Sequence, residues 1–108
     1  MKLPNADRVR IDDRKVRGYL LSKTHPVGRF KARVFSSVGF DETTLNAFVA
    51  ELRRIALSGE VSEVEDFAFG KKYTVPGDLK GAAGSVAVLT VWIVESAQEP
   101  RLVTVRPR

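Results

Sequence analysis

The stretch Val86-Ala87-Val88-Leu89-Thr90-Val91-Trp92-Ile93-Val94 decides the fold. Both faces of a strand built from these residues are apolar, apart from one threonine. Such a strand belongs inside a sheet, where neighbouring layers or side chains cover both of its faces. We therefore expect Ser85–Glu95 to form a central strand, with Leu89, Val91 and Ile93 facing the core.

The residues around this strand show a period of two from Gly59 onward, which is typical of strands. Four strands are predicted, namely Val64–Phe69, Lys72–Val75, Ser85–Glu95 and Arg101–Arg106. The predicted connections are Gly70, Pro76-Gly77, Gly81–Gly84 and Ser96–Pro100. Their short lengths favour an antiparallel meander.

The first half of the chain is predicted to be helical. Asp41 is an expected N-cap, Gly59 an expected stop, and the apolar stripe between them comprises Leu45, Phe48, Val49, Leu52, Ile55 and Ala56. A shorter helix is capped by Asp12 or Asp13 and ends near Ser22. Lys31–Val38 is predicted as a helix with Phe30, Val34 and Phe35 inward, a strand being the alternative.

These elements predict an α+β fold, with N-terminal helices packed on a C-terminal four-stranded antiparallel sheet. The 108 residues are expected to form a single domain, 1–108.

Composition limits the chemistry. The chain has no cysteine and one histidine, which excludes disulfides, thiolate zinc sites and multi-histidine metal sites. We expect no cofactor and no metal, because the acidic cluster Glu60, Glu63, Glu65 and Asp66 has the alternation of solvated charge at a strand edge. No membrane span or secretory signal is found, so a cytoplasmic location with no membrane partner is expected.

Positive charge is concentrated at both ends of the chain. Residues 1–33 carry ten Lys/Arg against three Asp, a net of +7, and residues 101–108 add +3. The middle segment, 34–100, has a net charge of −5. If the termini meet in space, they form one basic face that attracts phosphate backbones, and RNA is therefore an expected partner. The alternative is a solvated basic surface with no partner.

The loop His25-Pro26-Val27-Gly28-Arg29-Phe30-Lys31-Ala32-Arg33 carries the main catalytic candidates. An imidazole beside fixed positive charge can move protons near neutral pH and hold an anion. His25 is the predicted general acid or base, while Lys31 and Arg33 are predicted to bind phosphate. If this segment is helical, Lys31 and Arg33 diverge and only one of them faces the site. The alternative for His25 is a capping histidine before a proline.

The predicted central and last strands supply the remaining candidates. Thr90 and Trp92 share one face; the Thr90 hydroxyl must find a partner or open onto a cleft, and Trp92 either stacks a base or belongs to the core. Arg101 or Thr104 would complete the site, but they lie on opposite faces unless a bulge intervenes. We expect His25, Lys31 and Arg101 to converge beside Thr90 or Trp92. The predicted nucleic-acid contacts are Arg29, Lys31, Arg33, Trp92 and Arg106.

Motifs spread over the chain resemble a small bacterial family of domains of unknown function. They are Leu3-Pro4-Asn5-Ala6-Asp7, His25-Pro26-x-Gly28-x-x-Lys31-Ala32-x-x-Phe35, Gly39-Phe40, Gly70-x-x-Tyr73, Leu79–Gly84, Thr90-x-Trp92-Ile93 and Pro100-Arg101-Leu102-x-Thr104. The resemblance implies a toxin–antitoxin-like pair with a second small protein, and a similarity to domains at the C-termini of phage and toxin proteins. The order of helices before a four-stranded sheet is similar to the barnase/RelE-like ribonuclease toxins, which act without a metal.

The leading hypothesis is therefore a toxin-like domain of a bacterial two-gene module, acting as a metal-independent endoribonuclease. The second hypothesis is a non-catalytic module that binds a cognate small acidic protein. The third is a structural component of a phage or secretion system.

Overall fold

The computed structural model describes residues 1–22, 24–96 and 98–108. Helix α1 (Asp13–Lys15) continues into a π-helical turn (Val16–Leu20), and the longer helices are α2 (Arg29–Ser37) and α3 (Leu45–Ser58). Short 3-10 turns lie at Ala6–Arg8 and Glu42–Thr44. The strands are β1 (Glu63–Phe67), β2 (Gly70–Gly81), β3 (Gly84–Glu95) and β4 (Arg101–Pro107).

The strands form one antiparallel sheet in the order β1-β2-β3-β4, with helices packed on one face. The predicted α+β fold is confirmed, and β3 is an inner strand as expected. Of the predicted connection 96–100, residue 97 lies outside the described residues. No helix among the described residues is long and apolar enough to cross a membrane.

Helix α3 supplies much of the core. The Asp41 side chain accepts a hydrogen bond from the Thr43 backbone N–H at 2.8 Å, and the Thr44 hydroxyl accepts one from the Asp41 N–H at 2.9 Å. This reciprocal pair fixes the start of the helical segment. Phe48, Leu52, Ile55 and Ala56 are buried, and Gly59 follows the last turn. The predicted stripe and the predicted stop at Gly59 are confirmed, whereas Asp41 caps the 3-10 turn Glu42–Thr44 that precedes α3.

The face of β3 that meets the helices differs from the predicted one. Val88 and Trp92 belong to the core, together with Leu102 and Val105 of β4. Leu89 and Ile93 are only half-buried, on the opposite face. The prediction that Leu89, Val91 and Ile93 face the helices was wrong because residues 86–94 are apolar on both faces apart from Thr90, so their pattern does not encode which face the helices cover.

Strand β2 is longer than predicted, since it continues through Pro76-Gly77 to Gly81. β1 pairs only with residues 70–74 of β2, so the second half of β2 lies at an edge of the sheet. A proline is tolerated there, because its missing N–H faces the unpaired side and no hydrogen bond between strands is lost. A Cβ at Gly77 would lie 2.7 Å from a side-chain carbon of Ile55. The glycine therefore allows α3 to pack closely on the strand.

Helix α2 buries Ala32 and Phe35, as a helix over this region predicts, with Val34 half-buried. Phe30 is 57% exposed, so its predicted inward position is wrong. The helix begins two residues earlier than expected, at Arg29, and Phe30 lies on its outer surface.

The two basic ends of the chain meet at β4. Arg10 forms a parallel bridge with Arg101, and the Leu102 N–H donates to the Arg10 carbonyl at 3.0 Å. The Lys15 ammonium donates to the Val103 carbonyl at 2.7 Å. The N-terminal segment and the last strand thus bring their positive charges together.

Candidate functional site

A β-bulge in β4 brings its polar residues to one face. Thr104 pairs with Val91 and Leu102 with Trp92, which leaves Val103 without an opposite residue on β3. Arg101 pairs with Ile93, so Arg101 and Thr104 lie on the same side of the sheet. This is the arrangement that a bulge makes possible. That side faces away from the helices and is called the open face.

A row of four paired residues crosses the open face. Glu63 of β1 pairs with Thr74 of β2, Thr74 with Val91 of β3, and Val91 with Thr104 of β4. Strands lie about 4.8 Å apart, so the Cα atoms of Glu63 and Thr104 are about 14 Å apart. The row crosses a groove of about 150 Å³, called the open-face groove. Its lining residues are Glu63, Glu65, Lys72, Thr74, Val91, Val103, Thr104 and Arg106.

Lys31 of α2 is not one of the lining residues, but it reaches Thr104 at one end of this groove. Its ammonium donates a hydrogen bond of 2.8 Å to the Thr104 hydroxyl. Burial, followed by the charges of Arg106 and Lys15, lowers the pKa of Lys31 from its ordinary value. Lys15, Lys31 and Arg106 are called the cation cluster. Over residues 1–22, 24–96 and 98–108, no ion pair joins any of the three to a carboxylate.

Cations that lie close together without a bound carboxylate repel one another, and a bound anion relieves this repulsion. A lysine whose pKa is shifted by burial and by specific neighbours, beside a groove, marks a candidate functional site. The Thr104 hydroxyl adds a hydrogen-bonding group at the same position. The arrangement fits a phosphate.

The opposite end of the groove is acidic. Glu65 forms an ion pair with Lys72 at 3.0 Å, and Asp66 one with Lys71 at 3.1 Å. Glu60 binds the N-terminal ammonium and Lys2. Glu63 is exposed and forms no ion pair within the part of the chain that the structure describes, so it is the carboxylate at this end that is available to a ligand.

His25 lies in the turn before α2, half-buried. Its Nδ1 atom accepts hydrogen bonds from the backbone N–H groups of Val27 and Gly28, both at 3.0 Å. Nδ1 is therefore unprotonated, and Nε2 carries the ring proton. To act as an acid or a base, the ring needs a proton on Nδ1 at one stage, which breaks both bonds. The geometry matches the capping alternative.

Thr90 and Trp92 lie in the core and cannot touch a nucleic acid in this fold. Both are 0% exposed. The Thr90 hydroxyl donates to the Val75 carbonyl at 2.7 Å and accepts from the Trp92 indole N–H at 2.9 Å. The predicted catalytic role of Thr90 and the predicted base stacking by Trp92 do not fit these positions. The expected convergence of His25, Lys31 and Arg101 beside them stays a prediction: His25 and Lys31 both contact the Tyr19 ring, and Arg101 binds Glu95.

The other predicted site residues lie outside the groove. Arg33 is exposed, and it and Arg29 lie 5.9 and 4.7 Å from the ring centre of Phe30 on the outer surface of α2. The expectation that Lys31 and Arg33 diverge is confirmed. Arg101 lies one row beyond Thr104 and binds Glu95 at 2.9 Å. Lys31, Thr104 and Arg106 remain together.

Sequence reasoning missed Glu63, Lys72 and Thr74. The alternation of Glu63, Val64 and Glu65 does place both acids on one face, but it was interpreted as solvated edge charge. The missing information was the pairing register, which sets Glu63 in the same row as Thr104.

Comparisons with known proteins agree with this fold. A family model described as "Domain of unknown function (DUF6883)" matches residues 2–108. No curated protein matches the chain. One chain of a solved "Contact-dependent growth inhibition toxin - immunity protein complex from Klebsiella pneumoniae 342" has a TM-score of 0.71, covering 91% of this chain and 98% of that chain. At 16% identity, this similarity shows a shared fold.

Proposed function

The chain belongs to the DUF6883 family of domains of unknown function, and we propose that it is the toxin-like domain of a bacterial toxin–immunity pair that cleaves RNA without a metal. The single observation that carries the proposal is the unpaired cation cluster around Thr104, at one end of a row that has Glu63 at the other. The shared fold with a chain of a toxin–immunity complex supports the toxin-like part.

In the proposed reaction, the cation cluster holds the scissile phosphate. Glu63 takes the proton from the ribose 2′-hydroxyl, and the 2′-oxygen attacks phosphorus. The bond between phosphorus and the 5′-oxygen breaks, and the leaving oxygen takes a proton from the Lys31 ammonium. The products are a 2′,3′-cyclic phosphate and a 5′-hydroxyl end.

Two features of the groove suit these roles. The base must approach within about 3 Å of the ribose 2′-oxygen, and the acid within about 3 Å of the leaving 5′-oxygen. The distance of about 14 Å between the Cα atoms of Glu63 and Thr104 leaves room for one ribose and its phosphate. A lowered pKa makes Lys31 a better proton donor than an exposed lysine. The Arg106 guanidinium stabilises the pentavalent phosphate.

The test is cleavage of total cellular RNA by the purified protein in the presence of EDTA. Glu63→Gln should slow cleavage by about 100-fold or more, the usual contribution of a general base. Glu60→Gln is the matched control, because it removes an exposed carboxylate of the same segment outside the groove. Full activity of Glu63→Gln, or cleavage that requires divalent ions, would contradict the proposal.

A second candidate function is the binding of a cognate small acidic protein without catalysis. It is favoured by the outer surface of α2, where Phe30 is 57% exposed between Arg29 and Arg33, and by Val27 in the preceding turn, which is 61% exposed. Exposed aromatic and arginine side chains are enriched in protein interfaces. In that case, binding of the small acidic partner would withstand Glu63→Gln and be lost in Arg29→Glu/Arg33→Glu.

A further inference from the structure

We propose that His25 is a positioning residue, whose ring fixes Tyr19 so that Tyr19 holds the Lys31 ammonium on Thr104. The inference rests on the proposed function, because Lys31 is the phosphate-binding group of that site. In this role, unlike that of an acid or a base, His25 keeps the two hydrogen bonds that its Nδ1 atom accepts from Val27 and Gly28.

The first link is the turn that His25 closes. Its Nδ1 accepts from Val27 and Gly28, and its own backbone N–H donates to the Ser22 hydroxyl at 3.2 Å. These bonds hold both the ring and the backbone of His25. The Arg29 N–H donates to the His25 carbonyl at 3.1 Å, and Arg29 is the first residue of α2, the helix that carries Lys31.

The second link joins this turn to Tyr19. The His25 and Tyr19 rings meet edge to face, with centres 4.8 Å apart and planes at 80°. A Cβ at Gly28 would lie 2.1 Å from the Tyr19 carbonyl oxygen, so only glycine permits this approach of the turn. Tyr19 is therefore held by the ring of His25 and by the backbone of the turn.

The third link is the contact of Tyr19 with Lys31. The Lys31 ammonium lies 5.3 Å from the centre of the Tyr19 ring, within the range of a cation–π interaction. The same ammonium donates to Thr104. Its four-carbon side chain has many rotamers, and the ring restricts it to the one that reaches β4.

The backbone around Tyr19 is unusual in a way that agrees with this role. Tyr19 lies in the π-helical turn, where the Leu21 N–H donates to the Val16 carbonyl at 2.8 Å. Such turns insert a residue and are frequent at functional sites. The residue just before the turn, Lys15, is the second member of the cation cluster and binds Val103. One short segment thus positions two of the three cations.

The experiment follows the Lys31 amine itself by NMR titration after reductive methylation with ¹³C-formaldehyde. Tyr19→Leu keeps an apolar side chain and removes the aromatic face; Tyr19→Phe keeps the face and is the control. If Tyr19 positions Lys31, Tyr19→Leu releases the ammonium into water, and its lowered pKa rises toward the ordinary lysine value. Tyr19→Phe leaves the pKa unchanged.

The opposite direction would overturn the inference. If Thr104 alone holds Lys31 in place, removal of the ring takes away only a stabilising contact with the charged form, and the pKa falls or stays as it was. The direction of the shift thus separates the two accounts.

His25 is tested with two variants. His25→Ala should raise the pKa of Lys31 as Tyr19→Leu does. His25→Asn offers an amide oxygen to the N–H groups of Val27 and Gly28 but no ring, so it should recover the Tm without recovering the Lys31 pKa. A His25→Ala variant that lowers only the Tm, or a His25→Asn variant with the wild-type Lys31 pKa, would overturn the role of the ring.

RNA cleavage is measured on the same variants and tests the proposed function separately. If the pKa of Lys31 rises in these variants but RNA cleavage is unchanged, the proposed function is contradicted and the positioning role of His25 and Tyr19 is supported. A Lys31 that does not move in any variant contradicts the positioning, whatever the cleavage result.

Discussion

The Lys31 ammonium binds the Thr104 hydroxyl at 2.8 Å, which joins α2 to β4 across 73 positions of the sequence. The contact exists because the bulge at Val103 turns Thr104 to the open face, and because Lys31 points away from the exposed side of α2. It brings a helix cation to one end of a groove that is lined at its other end by Glu63 of β1.

Salt dependence is the first expected property of this groove. Each phosphate neutralised in single-stranded RNA contributes about −0.7 to the slope of log K against log salt. If the cluster neutralises the scissile phosphate and the phosphate on either side of it, the slope is about −2. Arg106→Gln should reduce the slope by about 0.7, as measured by fluorescence anisotropy with a labelled oligonucleotide. Arg101→Gln is the control, and an equal effect of both variants would show that the whole basic surface binds.

The buried network of Thr90 is expected to be structural. Thr90→Val removes the acceptor of the Trp92 indole N–H and the donor to Val75, leaving two buried polar groups unpaired. We expect a loss of about 1–3 kcal/mol in the free energy of unfolding, measured by urea denaturation. Thr90→Ser retains the hydroxyl and should lose less. RNA affinity of folded Thr90→Val should equal that of the wild type; a large drop at full stability would return Thr90 to the site.

The packing of α3 on the sheet gives a paired prediction within one helix. Leu52 is 0% exposed, so Leu52→Ala should cost about 2–5 kcal/mol of stability. Leu57 is 53% exposed, and Leu57→Ala should change stability by about 0.5 kcal/mol or less. Both are measured by thermal and urea unfolding. Similar losses for the two variants would mean that the helix packs on a different face.

Glu51 should make stability depend on pH in acid. Hydrogen bonds from Arg54 and from the Lys80 N–H hold the pKa of Glu51 below its ordinary value. Because the folded pKa is the lower one, the stabilisation is present above the unfolded value and is lost as the pH falls through the folded pKa. The difference in unfolding free energy between wild type and Glu51→Gln should therefore shrink below about pH 4.5, the ordinary value. A difference that is constant down to pH 2 would contradict this account.

The helices, the strands and their order in the sheet could be predicted from the sequence. Hydrophobic periodicity, an N-cap and glycine stops are local signals, so they are visible without the fold. The stripe of α3, its stop at Gly59 and the cap at Asp41 of the 3-10 turn that precedes it follow from them. The same local signals misplaced the end of β2, since the tolerance of Pro76 depends on where the neighbouring strand stops.

The site needed information that is not local. The apolar run 86–94 does not reveal that Trp92 faces the helices, and no local pattern announces the bulge at Val103. Only the pairing register of the strands shows that Glu63 and Thr104 lie in the same row of the sheet. Without it, nothing connects these two residues. Lys31 was found from its place in a basic loop, but its partner lies 73 positions away.

The most direct test of the central claim is growth arrest on induced expression of Lys31→Gln beside Arg33→Gln. Each variant removes one positive charge from α2, but only Lys31 contacts a residue that lines the open-face groove, namely Thr104. We predict that Lys31→Gln abolishes growth arrest and RNA cleavage while its Tm stays near the wild-type value, and that Arg33→Gln remains toxic. A toxic Lys31→Gln variant, or loss of toxicity in Arg33→Gln alone, would contradict the account and favour the outer surface of α2.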